Sequence, residues 1–143
     1  LEPEIELNTA RTNVEGFIRM VTAAFHHFKK TGGGHIAVIS SIAGTKGLGV
    51  APAYSATKRF QNTYIDALAQ LSRMQRLNIR FTDIRPGFVA TDLLMRADKV
   101  ALCIVRSLER KKRTVIIDRR YRLLVFFWRM IPRWLWKRLP IKN

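Results

Sequence analysis

Three short segments constrain this chain most: "HIAVIS" at 35–40, "NIRFTDIRPG" at 78–87 and "RTVIID" at 113–118. Each is brief, rich in β-branched residues and bounded by glycine, proline or charge, which predicts strands. The first is apolar almost throughout and suits a strand buried on both faces. Longer stretches separate them. Val14, Phe17, Ile18, Val21, Phe25 and Phe28 recur at helical spacing and predict a helix over 8–30, which "TGGG" at 31–34 stops. A second helix is predicted from Ala53 to about Leu77, with Phe60, Tyr64, Leu68 and Leu71 on one side, and a third through Val100, Ile104 and Leu108. Strands alternating with helices predict a parallel α/β sheet with right-handed crossovers.

The end of the chain is different. Residues 119–143 mix arginines with all three tryptophans. Arg122, Arg129, Arg133 and Lys137 fall together on a helical wheel, opposite Leu124, Phe127, Met130, Ile131 and Trp134. Pro132 should split this helix. The unbroken apolar run 123–128 is far too short to span a bilayer.

Charge narrows the partners. The formal net charge is +16, from 26 Lys plus Arg against 10 Asp plus Glu. Such an excess favours anionic partners. No recognised motif organises it for nucleic acid, so specific nucleic-acid binding is not expected. The single cysteine, Cys103, reads as a buried thiol and cannot form an internal disulfide. The acidic start "LEPEIELN" does not resemble a signal peptide. A cytoplasmic protein is expected, peripheral at the inner face of a membrane if the tail binds lipid. His26, His27 and His35 have no partners at metal spacing, so no metal site is expected.

The chemistry centres on "YSATK" at 54–58. On a helix, Tyr54 and Lys58 lie one turn apart on one face. An ammonium beside a phenol favours the phenolate and lowers a pKa that starts at about 10. A tyrosine so placed can act as acid or base near neutral pH. "VISSIAG" puts Ser41 at the carboxyl end of the first strand, the edge where open α/β sheets bind ligands. Ser41 stands 13 residues before Tyr54, and Asn13 stands 28 before Ser41. "RPGFVATD" supplies a second strand end with backbone groups and Thr91. Ser40, Asp83 and Asp92 read as structural. "TGGG" leads from helix to strand, the reverse of what phosphate binding needs, and reads as a turn.

These motifs together resemble the later half of the short-chain dehydrogenase/reductase family. "TNVEG", "ISSIAG", "YSATK" and "RPGFVATDL" are similar to its asparagine, serine, tyrosine-lysine and Pro-Gly segments, in order, over roughly 6–93. The resemblance implies a Rossmann-like doubly wound parallel sheet, present as its later half of about three strands, with 1–118 as the catalytic half and 119–143 as a basic aromatic tail. It implies an oxidoreductase that interconverts an alcohol and a carbonyl with NAD or NADP. Asn13, Ser41, Tyr54 and Lys58 would form the catalytic tetrad. Tyr54 would be the general acid or base, Lys58 would tune it and bond the nicotinamide ribose, and Ser41 would hold the substrate oxygen. Asn13 would disturb its helix and hold a water that links to Lys58. Pro86, Gly87, Val89 and Thr91 would hold the carboxamide. The small-molecule substrate reads as hydrophobic from Leu48, Val50, Leu93 and Leu94, and a homo-oligomer is expected. The family's glycine-rich amino-terminal turn is not in this sequence, so an exposed sheet edge is expected. Relatives carry a longer segment where "TDLLMRADKV" stands, and an omitted loop is favoured over a short lid. The tail remains open between a lipid-binding helix and one that packs on the sheet or an oligomer interface, the latter slightly ahead.

Overall fold

The apolar segments become strands β1 (Gly34–Ile39), β2 (Ile79–Arg85) and β3 (Thr114–Ile116). They pair in parallel in the order β1-β2-β3. The computed structural model describes residues 1–87 and 97–139. Helices α1 (Pro3–Ala10) and α2 (Phe17–Lys30) precede β1, and α3 (Pro52–Met74) joins β1 to β2. Then α4 (Ala97–Glu109) lies between β2 and β3, and α5 (Arg119–Met130) and α6 (Arg133–Trp136) form the tail. The "TGGG" turn forms as expected, because Gly32 and Gly33 take φ of 87° and 149°, which side chains disfavour.

Strand periodicity divides the core. Ile36, Val38, Ile79 and Phe81 pack against Val21 and Phe25 of α2 and Ile65 and Leu68 of α3. On the opposite face, Ile84 and Val115, paired in register, pack with Ile117 against Val100 of α4. This layering corrects one expectation. The two crossovers step across the sheet in the same direction with α3 and α4 on opposite faces, so they have opposite hands and cannot both be right-handed.

The outer edge of β1 pairs with no strand among the described residues, and its Ile39 is 59% exposed. That is the expected open edge. The shortened segment after Thr91 falls outside the described residues through Arg96. Cys103 is half-buried beside the α4 core.

The tail splits at Pro132 as expected. Its facing differs from the helical-wheel reading. Leu124 and Ile131 turn inward and pack, while Phe127, Met130 and Trp134 are exposed. Tyr121 and Val125 bury against Ile42, and Trp136 buries against Ala43 and Leu48. Trp136 Nε1 donates to the Gly47 carbonyl at 2.7 Å, and Lys46 Nζ donates to the Ile131 carbonyl at 2.9 Å.

His35 carries a pH dependence. Its Nε2 lies 2.8 Å from Thr82 Oγ1, whose single proton goes to the Lys112 carbonyl at 2.5 Å. His35 Nε2 is therefore the donor. Burial lowers its pKa, and Arg80 and Lys111 lower it further. An unfolded histidine, at about 6.5, takes up its proton before folded His35 does, so stability falls as pH drops below about 6.5. His35→Gln keeps a donor and should flatten this part of the slope in urea melts; an unchanged slope refutes the assignment.

Candidate active site

Helix α3 carries Tyr54 and Lys58, and its start is fixed from outside. Pro52 opens the first turn, where its missing N–H costs nothing. Ala51 offers no capping side chain; Glu6 of α1 takes that part, its Oε2 accepting from Ala53 N at 2.8 Å. Ser55 Oγ donates to the Pro52 carbonyl and accepts from Leu48 N, both at 3.1 Å. Tyr54 therefore sits on an anchored first turn with 40% of its surface exposed.

One turn on, Lys58 Nζ lies 5.6 Å from the Tyr54 ring centroid. It donates to the Ile39 carbonyl at 3.3 Å and to Gln61 Oε1 at 3.2 Å. Burial lowers the Lys58 pKa, and the Asp83 carboxylate opposes that shift.

Asn13 joins this group through space. Residues Arg11–Gly16 form a π-helical turn between α1 and α2, the local disturbance expected there. Asn13 Nδ2 donates to Thr57 Oγ1 at 3.1 Å, and Thr57 Oγ1 donates to the Tyr54 carbonyl at 2.9 Å. The Asn13 carbonyl accepts from Gln61 Nε2 at 2.9 Å. One buried amide thus spans Asn13 and Lys58, the interval that the resemblance assigns to a water.

Ser41, two residues past β1, caps a short 3₁₀ turn, Ile42–Thr45, where its Oγ accepts from Ala43 N at 3.1 Å. That turn presses on α3. A Cβ at Gly44 would lie 2.5 Å from Asn62 Oδ1 and 2.8 Å from the Lys58 carbonyl, so only glycine permits this approach. Ile42 N donates to the Pro86 carbonyl at 3.1 Å, which sets Pro86 and Gly87 beside the serine turn. The Tyr121 ring packs directly on Gly87. Asn13, Ser41, Tyr54, Lys58, Pro86 and Gly87 thus converge at the carboxyl edge of β1 and β2. Val89, Thr91 and Asp92 lie outside the described residues. "TGGG" lies at the opposite, amino end of β1.

Beneath the pair is a buried polar cluster. Asp83 accepts from Ser40 Oγ, from Asn62 Nδ2 at 3.0 Å and from Arg85 Nε at 2.8 Å. Arg85 Nη2 stands 2.7 Å from the same carboxylate. Asn62 Nδ2 also lies 2.8 Å from Ser40 Oγ. Ser40 and Asp83 are structural, as expected.

Residues 3–101 match the family model of the short chain dehydrogenases. The chain belongs to that family. An uncharacterized oxidoreductase of Myxococcus xanthus is 35% identical over 82 residues, 57% of this chain and 32% of that protein. A sepiapterin reductase of Chlorobaculum tepidum is 28% identical over 119 residues, 76% of this chain and 48% of that protein. A short chain dehydrogenase from Burkholderia cenocepacia, solved in complex with NADP, shares the fold with a TM-score of 0.80 at 18% identity, over 99% of this chain and 61% of that one. The chain thus spans about a quarter to a half of the length of the curated relatives it matches.

Sequence reading passed over Gln61, Glu6 and Thr57. Gln61 had a visible signal: with Tyr54 and Lys58 it occupies one helical stripe, a polar residue on a packed face. Glu6 and Thr57 had none, since their partners lie 47 and 44 residues away. Among the described residues no three His, Cys, Asp or Glu side chains group to hold a metal.

Gln61→Leu removes an acceptor from the Lys58 ammonium and should lower its pKa further, while Gln61→Glu should raise it. A ¹³C-lysine NMR titration reads both, and shifts in the same direction exclude the bridge. Asp83→Ala leaves Arg85 buried and unpaired and should cost about 3–5 kcal/mol in denaturant melts. Asp83→Leu with Arg85→Met should recover much of that loss.

Proposed function

We propose that this chain is the proton-transfer half of an NAD(P)-dependent oxidoreductase that interconverts an alcohol and a carbonyl. The observation that carries this reading is the line Tyr54–Lys58–Gln61–Asn13 beside Ser41 at the carboxyl edge of the sheet. A phenol exposed to an incoming substrate, backed by a partly buried ammonium, is the donor set for moving one proton to or from an oxygen.

The residues present fit a nicotinamide riboside. Lys58 offers an ammonium to ribose hydroxyls, and Pro86 and Gly87 offer main chain at the adjacent strand end. NAD or NADP, when bound, supplies or accepts the hydride. Tyr54 gives a proton to the carbonyl oxygen in reduction and takes it back in oxidation. Lys58, held by Ile39 and Gln61, keeps positive charge beside the phenol. The Ser41 hydroxyl bonds the substrate oxygen. Val89 and Thr91 complete the carboxamide contacts in this proposal. The Burkholderia relative's complex with NADP supports the cofactor class without choosing between NAD and NADP.

Leu48 is buried under Trp136 and is not available to line a pocket, while Val50 is 49% exposed. Val50 alone carries the apolar hint in this loop.

In the full-length protein, Tyr54→Phe should reduce NAD(P)-coupled turnover over a panel of ketones and alcohols by at least about 10²-fold. NAD(P)H binding, followed by nicotinamide fluorescence, should change little. Undiminished turnover would reject Tyr54 as the proton donor.

A further inference from the structure

The outer side of α5 has no place in the reaction. Leu123, Phe126, Phe127 and Met130 follow the i, i+3, i+4, i+7 spacing and are each 57–68% exposed. Trp134 of α6 is 62% exposed as well. This ridge points away from the packed side of the same helix, where Tyr121 and Val125 are buried. The helix therefore has two apolar faces, and the fold uses one.

Cations border the ridge. Arg119, Arg120, Arg122, Arg129, Arg133, Lys137 and Arg138 are all exposed, and residues 119–139 contain no Asp or Glu. Arg138 lies over the outward Trp134 ring, 5.8 Å from its centroid. An aromatic and aliphatic ridge flanked by arginines matches the boundary between acyl chains and anionic headgroups. A second copy of the chain is a poor match, because the ridge would bring seven cations against seven. No helix among the described residues is long and apolar enough to cross a membrane.

We infer that the α5–α6 ridge docks the protein on an anionic lipid bilayer, with Leu123, Phe126, Phe127, Met130 and Trp134 entering the interface and the arginines binding headgroups. The docking surface is fixed to the rest of the chain. Tyr121 packs on Gly87, Val125 on Ile42, and Trp136 bonds Gly47. Docking thus holds the turn carrying Ser41 close to the lipid surface. The corollary, a substrate that partitions into the bilayer, rests on the proposed oxidoreductase reading; the docking itself does not.

Vesicle co-sedimentation of the full-length protein tests this without any activity assay. Vesicles of phosphatidylglycerol with phosphatidylcholine should bind it, and phosphatidylcholine alone should bind far less. Phe126→Ser with Phe127→Ser should weaken binding at least about tenfold. Arg122→Gln and Arg129→Gln should each weaken it about fivefold. All four side chains are exposed, so melting temperatures should hold; Leu123→Ser with Met130→Ser is the second ridge variant. No binding to anionic vesicles overturns the inference. So does binding that the arginine variants weaken and both ridge variants leave intact, which would be generic charge attraction. Self-association lost in the ridge variants, without vesicle binding, assigns the ridge to a second copy instead. Equal affinity for RNA, with the same ridge dependence, also overturns it.

Discussion

One buried carboxylate holds the site's foundation. Asp83 is 1% exposed, and its oxygens accept from Ser40 just past β1, from Arg85 of β2 and from Asn62 of α3. A charge in that position is costly unless its lone pairs are satisfied. Satisfying them fixes Ser40 at the end of β1, Asn62 on α3 and Arg85 at the end of β2. Those three anchors set the relative positions of Ser41, Lys58 and Pro86. The same negative charge acts on Lys58, where it counters the desolvation of the ammonium. The group that orders the strand ends is thus also an electrostatic neighbour of Lys58.

Close packing does the rest. Gly44 lets the serine turn touch the Lys58 backbone, and the tail covers that turn from the other side. The tail works as a clamp on one face and leaves an apolar, cationic face outside. Of the two tail readings left open by the sequence, packing on the body of the chain is met by one side of α5, and the other side stays exposed.

The Tyr54–Lys58 pair was legible because it is local. Tyr54 and Lys58 are four residues apart on a helix whose periodicity is plain, and Ser41 follows a β-branched run. The Pro132 break was legible for the same reason: a proline acts on its own turn. The Gln61 bridge was not, because its two partners, Lys58 and Asn13, are brought together only by packing α3 against the turn between α1 and α2. The outward ridge was not legible because an ideal wheel cannot say which of two apolar sides meets the body of the chain. Leu124 and Ile131 went inward to fill space over Ile42 and Ala43.

By itself the sequence determined the alternation of strands and helices, the parallel sheet, and the side-by-side placement of Tyr54 and Lys58. These follow from periodicity, β-branching and turn residues, which act over a few positions. Tertiary structure decided the opposite hands of the two crossovers, the glutamine between Asn13 and Lys58, the glutamate that caps α3, and the face of α5 left to solvent. Each joins groups 30 or more residues apart or depends on which surface another element has already covered, and no local pattern encodes that.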